Sequence, residues 1–294
     1  MTLPPSHTDF RPPEPAPLDD PRLLAVADLI GIVDRLRAPD GCPWDLEQSE
    51  KSMLPSLLEE VYELQEALEE GTAEEATAEA GDVLMNVVLI ARIAEDEGRY
   101  DLARVARGVS EKLVRRHPHV FGELTVDGSG EVLRNWEAIK KVERQEKRED
   151  ASALAGVPKA LPGLQRASRM CEKALHAGFR WQDVAGALAK VDEELAELKA
   201  ELPPEALSCA EKPEWGEGQR ERASSELGDL MLAGAFLGRY LGLDVEEALR
   251  GSLRRFETRF RSMEDGLEGA ISDHSLDQLI EAWRGAKAAT SAED

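Results

Sequence analysis

The stretch V-D-E-E-L-A-E-L-K-A-E (191–201), together with S-S-E-L-G-D-L (224–230) beyond it, decides how this chain is read. Glu194 and Glu197 are three residues apart, as are Glu226 and Asp229. On a helix that spacing puts both side chains of a pair on one face. Two such pairs facing one another make four converging carboxylates. Hard oxygen donors of this kind suit Mg²⁺ or Mn²⁺, and an ion so held can grip a polyphosphate and prepare a water to attack it. A single E-x-x-E carries little weight in a chain with 59 Asp and Glu among 294 residues, where such pairs on solvated faces arise by chance. The constellation, however, occurs twice.

Earlier in the chain, L-L-E-E-V-Y-E-L-Q-E-A-L (57–68) has the outline of V-D-E-E-L-A-E-L-K-A-E-L (191–202), and A-E-A-G-D-V-L (78–84) matches S-E-L-G-D-L-M (225–231). Glu59, Glu60, Glu63, Glu79 and Asp82 therefore correspond to Glu193, Glu194, Glu197, Glu226 and Asp229. Further landmarks keep the same order. W-D (44–45) precedes the first cluster as F-R-W-Q-D (179–183) precedes the second; K-L-V-R-R-H (112–117) parallels R-F-E-T-R-F (255–260); W-E-A-I-K (136–140) parallels W-R-G-A-K (283–287). Repetition at about half the chain length points to a duplicated domain rather than a short solenoid repeat.

Composition sets the outer bounds. At 294 residues and 42% hydrophobic, the chain can bury a core in each of two domains. A net charge of −23 and a pI near 4.7 argue against nonspecific nucleic-acid or anionic-membrane binding, both of which call for a basic surface. Nucleotides stay open, because a bound divalent cation inverts the local charge. Cysteine is sparse and odd in number, at Cys42, Cys171 and Cys209 without C-x-x-C spacing, which suits a reducing compartment. With no apolar leader at the N-terminus and no run approaching a membrane span, the expectation is a soluble, cytoplasmic protein.

In chain order, residues 1–20 are rich in Pro and Asp and read as a disordered tail. Leu23, Leu24, Val26, Ile30, Ile32, Val33 and Leu36 return to one side of a helix that stops at A-P-D-G-C-P-W-D. Trp44 in that loop either caps the core or contacts a base. Ser52 or Ser56 opens the next helix, with Leu57, Leu58, Val61, Leu64 and Leu68 toward the core, and Gly71 ends it. A third helix, from about 73 to 97, turns apolar at V-L-M-N-V-V-L-I-A, so its second half is expected to be buried on several sides. Asp101 caps a further amphipathic helix that Pro118 stops. His117 and His119 lack the further Cys or His a zinc site needs and read as packing or capping residues. The first domain then runs from 21 to 150 through a turn at 122–130 and a charged helix at 131–150. A linker at 151–163 follows, then a second domain at 164–294. Between the acid pairs, Glu63 to Glu79 spans 16 residues but Glu197 to Glu226 spans 29; the added segment reads as a lid or as a neutral insertion. Strand signals are nearly absent, so the class is all-α.

Taken together, G-C-P-W-D, L-E-E-V-Y-E with E-A-G-D, K-L-V-R-R-H-P-H-V-F and W-E-x-I-K resemble the MazG family of nucleoside triphosphate pyrophosphohydrolases. So does the second set: L-P-G-L-x-R-A, G-F-x-W, D-E-E-L-x-E and E-L-G-D, and the resemblance covers about 21–287. It implies Mg²⁺-dependent hydrolysis of NTP to NMP and pyrophosphate, on tandem duplicated four-helix modules that assemble as a homodimer. Carried over residue by residue, it puts the metal ligands at Glu194, Glu197, Glu226 and Asp229, with Glu60, Glu63, Glu79 and Asp82 as first-half equivalents. It puts the nucleotide-binding positions at Lys173, Arg222, Arg255, Arg259 and Trp283. Attack of water on the α-phosphorus also needs a carboxylate to orient or deprotonate that water. Glu193 is the candidate, against a supporting role or an ordinary surface acid. Where the second half has Arg222 the first has Glu75, which favours the second half as the main catalytic unit.

Rival classes have distinct signatures. A non-catalytic acidic scaffold would have no need of duplicated E-x-x-E and E-x-x-D pairs. A di-iron bundle would carry E-x-x-H on facing helices, and neither cluster does. A pyrophosphatase restricted to one modified or deoxy nucleotide stays open.

Overall fold

Asp20 starts the first helix by accepting the Arg22 backbone N–H at 2.8 Å, with Pro21 supplying a preset φ where its missing N–H costs nothing. The computed structural model describes residues 13–146, 150, 152–203, 206 and 212–290. The tail expected at 1–20 lies partly outside them, as does the segment added between the second pair of acidic helices, of which residues 204, 205 and 207–211, Cys209 among them, are not described; Ala151 also lies outside. The regular structure among the described residues is helical throughout.

The chain forms two compact units, Met1–Lys147 and Arg148–Asp294. The first contains α1 (Pro21–Leu36), α2 (Pro43–Glu47), α3 (Leu54–Glu70), α4 (Ala73–Asp96), α5 (Leu102–Arg116), α6 (Pro118–Phe121) and α7 (Ser129–Glu146). The second contains α8 (Gly163–His176), α9 (Val184–Glu201), α10 (Gln219–Tyr240), α11 (Val245–Asp265) and α12 (Leu276–Thr290), with a 3-10 turn at Ile271–Asp273. The same plan recurs in both: α3 lies against α4 and α9 against α10, with α1 and α5 beside α4, and α8 and α11 beside α10.

The first core is built from Val33, Met53, Val88, Leu89 and Ile93, flanked by Leu29, Ile30, Met85, Ile90 and Leu102. Thus the second half of α4 is buried among α1, the approach to α3 and the start of α5. Other apolar side chains expected at the core stay open: Ile32, Leu58 and Leu68 are 58%, 55% and 70% exposed. Their helices carry apolar bands wider than the neighbour that covers them. Trp44 is likewise exposed, and Met53 fills the position beneath α4.

The second core is built on small residues. Ala233, Ala235 and Gly238 of α10 are buried, and a Cβ added at Gly238 would lie 2.1 Å from Val245 Cγ1, so only glycine lets the start of α11 approach this closely. Trp181, in the loop before α9, packs edge-on to Phe236 at 5.1 Å and accepts the Tyr240 hydroxyl on its carbonyl at 2.8 Å. Among the described residues, no helix is long and apolar enough to cross a membrane.

Candidate functional site

The acid pairs are set by helix geometry and brought together by helix packing. Glu194 and Glu197 lie on one face of α9, Glu226 and Asp229 on one face of α10, and the two helices run side by side. One carboxylate oxygen from each of Glu194, Glu197 and Glu226 lies within 4.8 Å of the others, and the same holds for Glu60, Glu79 and Asp82. The fourth acid of each set is adjacent: Glu63 shares a side-chain hydrogen bond with Glu60, and Asp229 acts electrostatically on Glu226. Glu194 is buried at 6% exposure, whereas Glu197 and Asp229 are open to solvent.

Crowding these charges has a measurable consequence. Loss of water, then the Glu197, Asp229 and Glu194 carboxylates, push Glu226 above the ordinary carboxylate range. Glu60 is pushed the same way by loss of water and by Asp82, Glu63 and Glu79. Ligand oxygens around an octahedral Mg²⁺, each about 2.1 Å from the ion, stand roughly 3 Å apart when adjacent and about 4.2 Å apart when opposite. A trio already within 4.8 Å reaches that geometry by small side-chain rotations, and its all-oxygen donor set suits Mg²⁺ or Mn²⁺. The residues fit the ion.

Glu193, exposed on α9 beside Glu194, hydrogen-bonds the Lys190 ammonium at 2.9 Å, and the same nitrogen lies 2.5 Å from Glu194. Those two acids, Glu194 first, hold Lys190 well above the ordinary lysine range. Sequence reading missed Lys190: the corresponding first-half residue is Ser56, and a Lys four residues before a Glu on a helix usually marks a solvated pair.

The basic and aromatic candidates are spread over neighbouring elements. Arg222, one turn before Glu226, donates to Glu201 at 2.8 Å, and Gln219 donates to the Glu201 carbonyl at 2.8 Å, so both fasten the end of α9 to the start of α10. Lys173 sits on α8, which packs against α10 and α11. On α11, Arg255 donates to the Ser252 hydroxyl at 3.0 Å and Arg259 to the Thr290 hydroxyl at 3.1 Å. Trp283 of α12 rests on Phe256 with ring centroids 5.4 Å apart. Glu75, at the place of Arg222 in the first unit, turns back onto Thr72. His117 packs edge-on to Trp136 at 5.3 Å and bonds the Leu113 carbonyl, the packing and capping role expected of it.

A family model described as the MazG nucleotide pyrophosphohydrolase domain matches residues 48–121, which span α3 to α6. The chain is similar to the "Nucleoside triphosphate pyrophosphohydrolase/pyrophosphatase MazG" of Thermotoga maritima, with 37% identity over 263 residues, 88% of this chain and 94% of that protein. It is similar as well to the "Nucleoside triphosphate pyrophosphohydrolase" of Escherichia coli strain K12, with 37% identity over 265 residues, 88% of this chain and 95% of that protein.

Proposed function

The chain belongs to the MazG family, and from that premise we propose that it hydrolyses nucleoside or deoxynucleoside triphosphates to the monophosphate and pyrophosphate, with Mg²⁺ and chiefly in its second unit. One observation carries the reading: Glu194, Glu197 and Glu226 converge within 4.8 Å, beside Asp229, in a chain matching named pyrophosphohydrolases over most of its length.

In this reading Glu194, Glu197, Glu226 and Asp229 hold the divalent cation. Bound there, the cation supplies Lewis-acid polarisation of phosphate oxygens and neutralises their charge. Glu193 accepts the proton of the water that attacks the α-phosphorus. The bond from that phosphorus to the α,β-bridging oxygen breaks, and pyrophosphate leaves with the bonding electron pair. Lys173, Arg222, Arg255 and Arg259 offset the charge on the leaving group, and Trp283 offers a face to the base. Glu75 in the first unit supplies no positive charge, so that unit serves a structural, weakly active or regulatory role.

The same reading makes the protein a homodimer. What supports it is the unpartnered apolar surface, including Leu58 and Leu68 on α3 and Leu227 and Met231 on α10, which a second copy would cover. The free thiols Cys42 and Cys171 suit the cytoplasm, and the charge of −23 sets nucleic acid aside as a partner. Incubating the pure protein with a panel of NTPs and dNTPs plus Mg²⁺, then identifying products, tests the proposal. Monophosphate and pyrophosphate are expected; diphosphate and phosphate, or no turnover, would overturn it.

A further inference from the structure

Lys190 lies on α9 one turn before the E-x-x-E pair, and its ammonium bridges two acids, 2.9 Å from Glu193 and 2.5 Å from Glu194. The Glu194 side chain is only 8% exposed, so water does little to solvate its charge, and a tethered cation supplies what water does not. That same carboxylate belongs to the trio whose oxygens converge. It cannot serve both partners at full strength, because an ammonium and a divalent cation a few ångströms apart repel one another strongly in a partly buried site. The first unit has Ser56 at the corresponding position and so no cation one turn before Glu60.

The geometry points to Lys190 as a built-in counter-ion of the second acid cluster, which holds Glu193 and Glu194 in the unloaded protein and must release Glu194 for a divalent cation to bind. The inference rests on the metal-binding reading of that cluster and adds how the cluster is kept together before loading. It also assigns a selectivity: an incoming ion must outcompete an ammonium at short range, which a divalent cation does and a monovalent one does not. The two units therefore differ in their response to metal, since only the second carries its own competitor at this position.

The test is Mn²⁺ uptake without nucleotide, followed by the EPR signal of free Mn²⁺, in the full chain and in K190M, K190R, E194Q and K190M/E194Q. K190M is expected to bind Mn²⁺ about tenfold tighter at the site lost in E194Q, the size of one charge-assisted contact. K190R, which keeps the charge, stays close to wild type, and K190M/E194Q loses the gain. Metal-free K190M melts below wild type and is raised more by Mn²⁺. Unchanged or weaker Mn²⁺ binding by folded K190M would overturn the counter-ion role alone. Wild-type Mn²⁺ uptake that is insensitive to E194Q would overturn the metal reading of the cluster, a separable result. Should K190M fail to fold, S56K in the first unit carries the test: it should weaken the uptake that E60Q abolishes by about tenfold. No change there would count against competition by a lysine at this position.

Discussion

Glu75 accepts the Thr72 backbone N–H at 2.7 Å and the Thr72 hydroxyl at 2.9 Å, while Thr72 in turn accepts the Glu75 N–H at 3.2 Å. This reciprocal pair closes the start of α4, the helix that carries Glu79 and Asp82, so the acid at the place of Arg222 works on the backbone and not on an anion. Thr72→Ala is expected to cost about 1 kcal/mol of stability. That would lower the melting temperature by about 4 °C, with Thr72→Ser keeping most of it. A thermal scan that shows no difference between Thr72→Ala and wild type would refute the cap's contribution.

The two acid clusters should differ sharply in what their loss does. Glu194→Ala or Asp229→Ala is expected to cut pyrophosphate release at least about a hundredfold, because each removes a group that orients charge in the transition state. Glu60→Ala and Asp82→Ala should leave the rate within about threefold of wild type, since they act in the other unit. Initial rates of pyrophosphate formation at saturating Mg²⁺ decide the matter. Equal losses from both sets would overturn the assignment of catalysis to the second unit.

The acid pairs were legible because a spacing of three on a helix is a local rule that packing rarely alters. The helices were legible for the same reason, with Asp101 and Gly71 marking ends where the structure has them. Burial was less legible. Leu58, Val61 and Leu68 repeat at helical spacing, yet all three are exposed, because periodicity reports that a face is apolar and not what covers it. The start of α3 also escaped: Ser49 and Ser52 exchange hydroxyl bonds with each other's backbone N–H at 2.9 and 3.1 Å, and Met53 takes the cap position. Lys190 was passed over because Lys and Glu four apart on a helix usually form a solvated pair, and only the burial of Glu194 changes its meaning.

A divalent cation should stabilise the fold. Glu60 and Glu226 bind their protons more tightly when folded than when unfolded, so their own contribution to the stability of the metal-free protein is fully present below the ordinary Glu value of 4.5. That contribution is lost as pH rises through the raised values. Mg²⁺ in large excess over its dissociation constant should raise the melting temperature by on the order of 5 °C at pH 7.5, and much less near pH 4 where protons compete. A pH-independent shift, or none, would count against binding at these carboxylates.

A third carboxylate has the opposite sign and separates cleanly from the first two. Glu143 of α7 takes one hydrogen bond from Arg115 Nε at 2.6 Å and another from Arg116 Nη2 at 2.6 Å, fastening α7 to the last turn of α5. Burial alone would push Glu143 up, but the bonds from Arg116 and Arg115 outweigh it and hold the carboxyl below the usual range. With the folded value depressed, the unfolded chain takes up the proton first. The contribution is therefore complete above the ordinary value of 4.5 and is lost as pH falls through the depressed folded value. Glu143→Gln should cost the first unit about 1–2 kcal/mol at pH 7. At a pH well below the folded value the cost should nearly vanish, because wild type then carries a neutral side chain of the same shape. Urea denaturation of both proteins across that range reads the difference directly. Glu60 and Glu226 are common to both proteins, so their contrary pH dependence cancels, and a penalty that stayed constant down to acid pH would show that Glu143 acts by shape rather than charge.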